Sequence, residues 1–559
     1  MPRPRALVAL GPTLGVGLIW LFLALFLVYP LTRIFYDAFT NEQGAFVLEN
    51  FYEFFTDSFY LRSLWKSLLL GAAAVVTTSV VGIAVAYLLI RYEFPYRQTF
   101  SYLTMLPMIL PPLVGVLGFV FILGRAGTIN VLLYDWFGME PINFMYGVQG
   151  VLLVETVHLF PMMTLSILDA LARVDPSLEE AAEGMGASGW RRFRDVTLPL
   201  TTPGYISGAL LVFIWTFADF VTPLVLGVQD LLAPQAYLNI VQFVDRRIFR
   251  MGIVISALLV ILAIVFVLAA RQYVAIKDYS SLSYSRVERR KLGPVARWMA
   301  VLFLAALMTI SLIPQVGVLL AAVGRGWSLT PLPLEYTLEF FEQVSVETPK
   351  FILNSLLFCG IAVVMCVVIG VPMAWIMART RAPGRGAMDA LTTLILAIPG
   401  TAIGIAYIRA FHYPLPGIDL ALTSMWVIFP LVLAVRRLPY TVRGSYSSLL
   451  LVHKSMEEAA ENVGATKLRT FRDVTLPLVW KGIFVGALFS FIMSIQEASA
   501  TLFLALGGWE MIPIGIFTYY IAGSHGQAAA LGVILIVLCA VSLYIVNRIA
   551  GTRVGGLFG

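Results

Sequence analysis

Charge is scarce in this chain: Asp, Glu, Lys and Arg make up only 13% of its 559 residues, against about 25% in a soluble domain. That deficit argues against a soluble domain and, together with the apolar runs of the chain, places it in the bilayer. Cysteine is scarcer still. Cys359, Cys366 and Cys539 all fall in apolar runs, and the first two, on one helix, would be roughly 10 Å apart, too far to bridge. There is no CxxC pair or zinc spacing, and His158, His412, His453 and His525 are too dispersed for a metal cluster, so no metal site is assigned. A GxxxxGK[ST] phosphate loop is also missing, because neither Lys66-Ser67 nor Lys454-Ser455 has the preceding glycine. With no nucleophile–base constellation either, the chain is expected to be no enzyme and to bind no cofactor itself.

What the chain does have is long apolar sequence. Hydrophobic residues make up 59% of it and the mean hydropathy is +0.87. Runs of 20 or more apolar residues predict membrane spans at 8–30, 64–90, 101–123, 147–170, 203–227, 252–275, 297–323, 352–378, 388–408, 421–442, 482–507 and 529–550. The first is too long for a signal core of roughly 7–15 residues and has no small-residue cleavage site after it. With Met1 inside, 28 of the 38 Lys and Arg residues fall on the cytoplasmic side. The basic-inside rule therefore predicts that both termini are cytoplasmic. The net charge of +6 thus reads as topology, and no nucleic-acid partner is expected. Arg246, Arg247 and Arg250 depart from the rule. The polar, basic stretch 276–296 reads as a linker between a first half, 1–275, and a second, 297–559.

An internal repeat is the strongest signal. Residues 179–200 (EEAAEGMGASGWRRFRDVTLPL) and 457–478 (EEAAENVGATKLRTFRDVTLPL) agree at 16 of 22 positions, at an offset of 278. Weaker matches at an offset of 288 extend it: Ser67-Leu68-Leu69 with Ser355-Leu356-Leu357, Arg91, Pro95 and Arg97 with Arg379, Pro383 and Arg385, and Pro111 with Pro399. A net loss of ten residues, which the short loop 409–420 can supply, reconciles the two offsets. Six spans per copy make this a parallel repeat about an axis along the membrane normal.

The repeated segment has a readable local structure. Asp175 suits a helix N-cap and Pro176 the first helical position. The acids that follow suit the helix dipole, and Ala181 and Ala182 are small enough for a partner surface to approach. Gly186 is expected to end the helix. Trp190 to Arg194 open a second helix, which Leu198-Pro199 is expected to stop before the fifth span. An ordinary amphipathic loop does not explain two near-identical copies in otherwise divergent halves. A duplicated contact with a twofold partner does.

Glu180-Ala181-Ala182-x3-Gly186-x9-Val196-x-Leu198-Pro199, with its copy Glu458, Ala459, Ala460, Gly464 and Pro477, resembles the EAA loop of type I ATP-binding-cassette import permeases. The resemblance implies an all-α integral membrane protein with about twelve transmembrane helices in two parallel six-helix repeats. It implies coupling loops near 175–200 and 453–478 that dock on two copies of a separate ABC ATPase, which holds ATP and magnesium. It also implies a periplasmic or extracellular substrate-binding protein, surrounding membrane lipid, and a place in the bacterial cytoplasmic (inner) membrane. Fused permeases of this length are similar to ferric-iron import permeases, which implies alternating access for ferric iron. 2-Aminoethylphosphonate, thiamine or a polyamine are the alternatives within the family. An ion-coupled secondary transporter is the rival from another class, and it leaves the doubled loop unexplained.

Four acids fall in the expected spans: Glu155, Asp169, Asp219 and Glu497. Such residues are costly in lipid and face a pathway or a partner. Asp219 and Glu497 share the 278 offset, so the substrate path or gate is expected at Asp219, Glu497 and the helix-breaking Pro111, Pro112 and Pro399. Packing remains open as the alternative role. Neither fifth span carries a basic residue in its core, so two unpaired carboxylates facing one path would favour a hard cation. Glu155 and His158, three apart on one helix, are expected to bond to each other. Asp169 is expected at an interface.

Overall fold

The computed structural model describes residues 15–242, 245–276, 289–327, 329–414, 420–505 and 507–550. The start of the first expected span, most of the expected linker and both termini lie outside the described residues. Apolar runs fold as helix because in hydrocarbon the backbone N–H and C=O groups have only each other as partners. The first half runs α1 (Gly15–Phe39), α2 (Ser58–Arg91), α3 (Pro112–Leu123), α4 (Val148–Ala172), α5 (Pro176–Gly184), α6 (Gly189–Ala218), α7 (Leu232–Val241) and α8 (Arg246–Ile276). The second half runs α9 (Pro294–Val323), α10 (Lys350–Arg379), α11 (Arg385–Ala397), α12 (Gly400–Phe411), α13 (Ile428–Leu451), α14 (Lys454–Asn462), α15 (Lys467–Ile495), α16 (Ile512–Ile521) and α17 (His525–Ala550).

Among the described residues, ten helices are long and apolar enough to span, and the pair α11–α12, bent by 108°, makes eleven. The one expected span left over, 421–442, corresponds to α13. It starts only at Ile428 and carries Arg436, Arg437 and Arg443, which dilute its apolar character. α13 packs between α10 and α15 as α4 packs between α2 and α6. Pro161 and Pro439 sit at equivalent points inside these two helices.

Several expected spans are broken. The stretch 101–123 divides into Arg97–Leu103, Leu106–Ile109 and α3, and Pro111 and Pro399 hold the N-caps of α3 and α12 in the same extended conformation. The fifth spans end at Ala218 and Ile495, short of the expected 227 and 507. By contrast, Leu198-Pro199 stops nothing. A π-turn, Phe193–Thr197, carries the helix through to Ala218, and Phe471–Thr475 does the same to Ile495. In these turns Leu198 N–H reaches the Phe193 carbonyl and Leu476 N–H that of Phe471. The widened turn accommodates a proline N that has no hydrogen to donate.

The halves exchange their first helices. α1 packs on α12 of the other half, where Tyr407 Oη donates to the Phe26 carbonyl at 2.6 Å and Arg409 pairs with Asp37 at 2.6 Å. Reciprocally, α9 packs on α3. The α3–α9 crossing is close enough that a Cβ on Gly118 would stand 2.0 Å from the Pro314 carbonyl oxygen. Helices in lipid associate through such small-residue contacts. α15 crosses α13 at Gly482 and Gly486 in the same manner, as α6 crosses α4 at Gly204 and Gly208.

The matched serines have a common task. Ser67 Oγ of α2 accepts the Leu232 N–H at 2.8 Å, and Ser355 Oγ of α10 accepts the Ile512 N–H at 2.7 Å. Each fastens the start of the short helix that follows its fifth span. Arg246, Arg247 and Arg250 all pair with acids, Glu42 and Glu53, of the segment between α1 and α2. Their departure from the charge rule therefore carries little excess charge.

Candidate functional site: two motif loops and a charged cavity

The repeated loops fold alike. Asp175 Oδ1 accepts the Ser177 N–H at 2.9 Å, capping α5 as expected, and this bond holds its carboxyl below the usual carboxylate range. His453 Nδ1 takes that place at α14, accepting the Ser455 N–H at 3.3 Å. At the other end Gly186 and Gly464 adopt φ +88° and +92°. Ala187 N–H bonds the Ala182 carbonyl at 2.9 Å and Gly186 N–H that of Glu183 at 2.9 Å; Ala465 and Gly464 repeat the pattern on Ala460 and Glu461. Both helices thus end in a Schellman motif that requires a left-handed residue.

One acid of each loop turns inward, and it is the one before the expected Glu180 and Glu458. Glu179 Oε1 accepts from the Arg91 guanidinium at 2.7 Å and the Thr197 hydroxyl at 2.7 Å. In the second copy Glu457 meets Arg379 at 3.0 Å and the Thr475 hydroxyl at 3.0 Å. The clamp joins the end of the second span, the motif helix and the π-turn. Its three parts were visible in the sequence as matches at two offsets, but not as one unit.

Glu180, Ala181, Glu458 and Ala459 are exposed, whereas Ala182 is buried and Ala460 half-buried, so Ala182 is closed to a partner and Ala460 only partly open. Beside them stand exposed apolar side chains at matched positions: Leu178 with Met456, Met185 (84% exposed) with Val463 (87%), and Trp190 with Leu468. Their exposure at the same positions of both copies offers apolar side chains to a partner. Six spans separate the two loops, so they emerge on one face of the bundle.

Inside the bundle lies a cavity of about 160 Å³ between the halves. Pro112, Glu155, His158 and Asp219 line it from the first half, and Pro399, Arg436, Arg437 and Glu497 from the second. The two acids and two of the three prolines singled out in the sequence therefore meet; Pro111 sits buried at the α3 N-cap without lining the cavity.

The acids do not match in character. Asp219 ends α6, and its carboxylate accepts the N–H groups of Val221 at 3.1 Å and Thr222 at 3.2 Å. Glu497 is 4% exposed and pairs with Arg436 at 2.9 Å and with Arg437, while Ala500 N–H donates to it at 3.0 Å. The expectation of two carboxylates without a nearby base is thereby overturned. The bases come from the neighbouring fourth span, where Arg436 occupies the position of His158 in the other copy, 278 residues apart.

Nor do Glu155 and His158 bond to each other. Glu155 accepts from the Thr216 hydroxyl at 3.3 Å and lies against the Asp219 carboxyl, while His158 donates to the Pro107 carbonyl. A helix turn fixes their spacing, but side chains from α6 and the broken third span offered better partners. Asp169 pairs locally with Arg173 at 2.9 Å. Among the described residues, no three metal-ligand side chains converge.

Comparison with known sequences agrees with this architecture. The family described as binding-protein-dependent transport system inner membrane component matches the chain twice, over residues 78–278 and 370–555. The chain belongs to that family. It is a multi-pass inner-membrane permease subunit of an ABC importer with both halves fused, not an enzyme. Membership implies a separate ATPase and a substrate-binding protein as partners. The ferric transport system permease protein FbpB of Actinobacillus pleuropneumoniae is 26% identical over 555 residues, 98% of this chain and 79% of that protein. The molybdenum transport system permease protein ModB of Escherichia coli K12 is 40% identical over 162 residues, 28% of this chain and 69% of that protein. The spermidine/putrescine transport system permease protein PotB of Haemophilus influenzae is 29% identical over 222 residues, 38% of this chain and 76% of that protein.

Proposed function

We propose that the permease carries ferric iron, and that its two motif loops dock two copies of one ABC ATPase, on which ATP and magnesium reside. One observation carries the cargo reading: the likeness to a ferric transport permease runs through 98% of the chain. In this reading the loops and both termini face the cytoplasm, lipid surrounds the outer helices, and the halves are 1–275 and 297–559 about a linker. Closure of the ATPase pair moves α5 and α14, and the two clamps pass that motion to α2, α6, α10 and α15. Glu180, Ala181, Gly186, Glu458, Ala459 and Gly464 form or shape the docking face. Asp219, Glu497, Pro112 and Pro399 form the gate, where Glu497 is already neutralised and guides cargo without holding it.

A second cargo reading, 2-aminoethylphosphonate, is favoured by the cavity. Arg436 and Arg437 on one wall and Glu155 and Asp219 on the other suit a small zwitterion. The experiment is ATP-dependent uptake into proteoliposomes holding the whole importer, with ferric iron and 2-aminoethylphosphonate offered separately. Iron uptake alone supports the first reading, phosphonate uptake alone the second, and uptake that persists without the ATPase overturns both.

A further inference from the structure

The two motif loops differ in one respect that duplication does not explain. Residues 290–291, the end of the expected linker, pair as a short parallel strand with Tyr92–Glu93, directly after α2. This brings Arg290 onto the first loop, where its guanidinium bonds both oxygens of Glu183 at 2.8 and 2.9 Å. Arg192 pairs with the same Glu183. Beneath them opens a cavity of about 140 Å³ lined by Arg91, Arg192, Arg289, Arg290, Tyr87 and Tyr92, with Glu179 and Glu180.

Two of these arginines are more than nine-tenths buried, with side chains 9% (Arg91) and 8% (Arg192) exposed. The Nε–H of each has no hydrogen-bond partner. A buried charged donor left unpaired is costly, and both residues line this one cavity although their Nε atoms themselves are closed off from it. Four guanidinium groups face the three carboxylates of Glu179, Glu180 and Glu183, so positive charge is in excess. At the second loop Thr470 stands where Arg192 does in the first, and the strand pairing has no counterpart among the described residues.

We propose that this cavity is an anion site for one phosphate group, which ties the linker to the first motif loop. Guanidinium forks match phosphate oxygens in bidentate geometry, and the cavity has room for a tetrahedral anion. Arg91 closes the second span, so the site lies where that helix leaves the apolar layer. A phospholipid headgroup and free phosphate can both supply the group. An occupied site stiffens one loop and not the other, making the two docking faces unequal. The site does not depend on which cargo the permease carries.

The test uses the purified full-length protein. Its thermal midpoint is followed against inorganic phosphate in detergent, with chloride at equal ionic strength as control, and in nanodiscs of phosphatidylglycerol against phosphatidylcholine. Wild type is expected to gain in midpoint with phosphate, with phosphatidylglycerol, or with both; which of them acts identifies the source. Arg192→Thr, the residue of the second loop, should weaken the apparent affinity roughly tenfold or more, as expected for a lost hydrogen bond to a charged group. Arg289→Gln, an exposed position that leaves the Glu183 pairs intact, should weaken it in the same direction, whereas Arg469→Gln on the second loop should leave it unchanged. No midpoint gain in either medium, or an equal gain in wild type and Arg289→Gln, overturns the proposal.

Discussion

Glu179 and Arg91 form a buried ion pair at 2.7 Å, and 278 and 288 residues further on Glu457 and Arg379 form it again. The pair fastens each motif helix to the second span of its half. Removing one partner of the buried first pair costs about 3–5 kcal/mol because the other charge is stranded, and the half-buried second pair should cost less. Glu179→Gln with Glu457→Gln is therefore expected to leave ATPase binding in place and to lower transported cargo per ATP hydrolysed. A transport-to-hydrolysis ratio equal to wild type in proteoliposomes would remove the clamp from the coupling path.

The turns at Gly186 and Gly464 are limited by conformation, not by space, since a Cβ at either would meet nothing within 4 Å. Gly186→Ala should cost about 1–2 kcal/mol locally, the strain of a side chain in the left-handed region. Asn should cost less, and Pro, fixed near φ −65°, should abolish the turn. Hydrogen exchange across 176–187 is expected to quicken in the order Asn, Ala, Pro. Transport at the wild-type rate in the Gly186→Pro, Gly464→Pro double variant would count against the docking role.

Met185, Trp190, Val463 and Leu468 stand exposed at matched positions. Replacing Met185 and Val463 by Ser should weaken ATPase binding by about 1.5–3 kcal/mol for each side chain buried in the complex. Co-purification with the ATPase measures this, and unchanged chromatographic behaviour of the permease alone would establish that the fold is intact.

Asp219 and Glu497 occupy equivalent positions and should nonetheless respond unequally. Glu497→Gln strands Arg436 and Arg437 in the bundle and is expected to destabilise by about 3–5 kcal/mol. Val221 and Thr222 N–H bond different Asp219 oxygens, so Asp219→Asn keeps one of the two bonds and should cost about 1 kcal/mol. Thermal unfolding in detergent distinguishes them, and equal losses would contradict the asymmetry of the cavity.

Ser67→Ala and Ser355→Ala each remove the oxygen that accepts the first N–H of a short helix, worth about 0.5–2 kcal/mol. The sites lie in different halves, so the double variant should show the sum of the two effects. A neutral double variant would mean that water replaces both hydroxyls.

The helical spans, their parallel duplication and the motif helices with their caps and terminal glycines were legible in the chain itself. They depend on local rules: hydrocarbon leaves a backbone no partner but itself, and a Schellman turn needs glycine within a few residues of the helix it ends. Pairings between distant segments were not legible. Nothing at Glu497 signals that α13, sixty residues earlier, brings two arginines to it. Nothing at Glu183 signals Arg290. Charges in an apolar bundle must find partners, and several partners are chemically adequate for each. Only the packing of the helices, set by small residues at their crossings and by the exchange of α1 and α9 between halves, decides which of them come within reach.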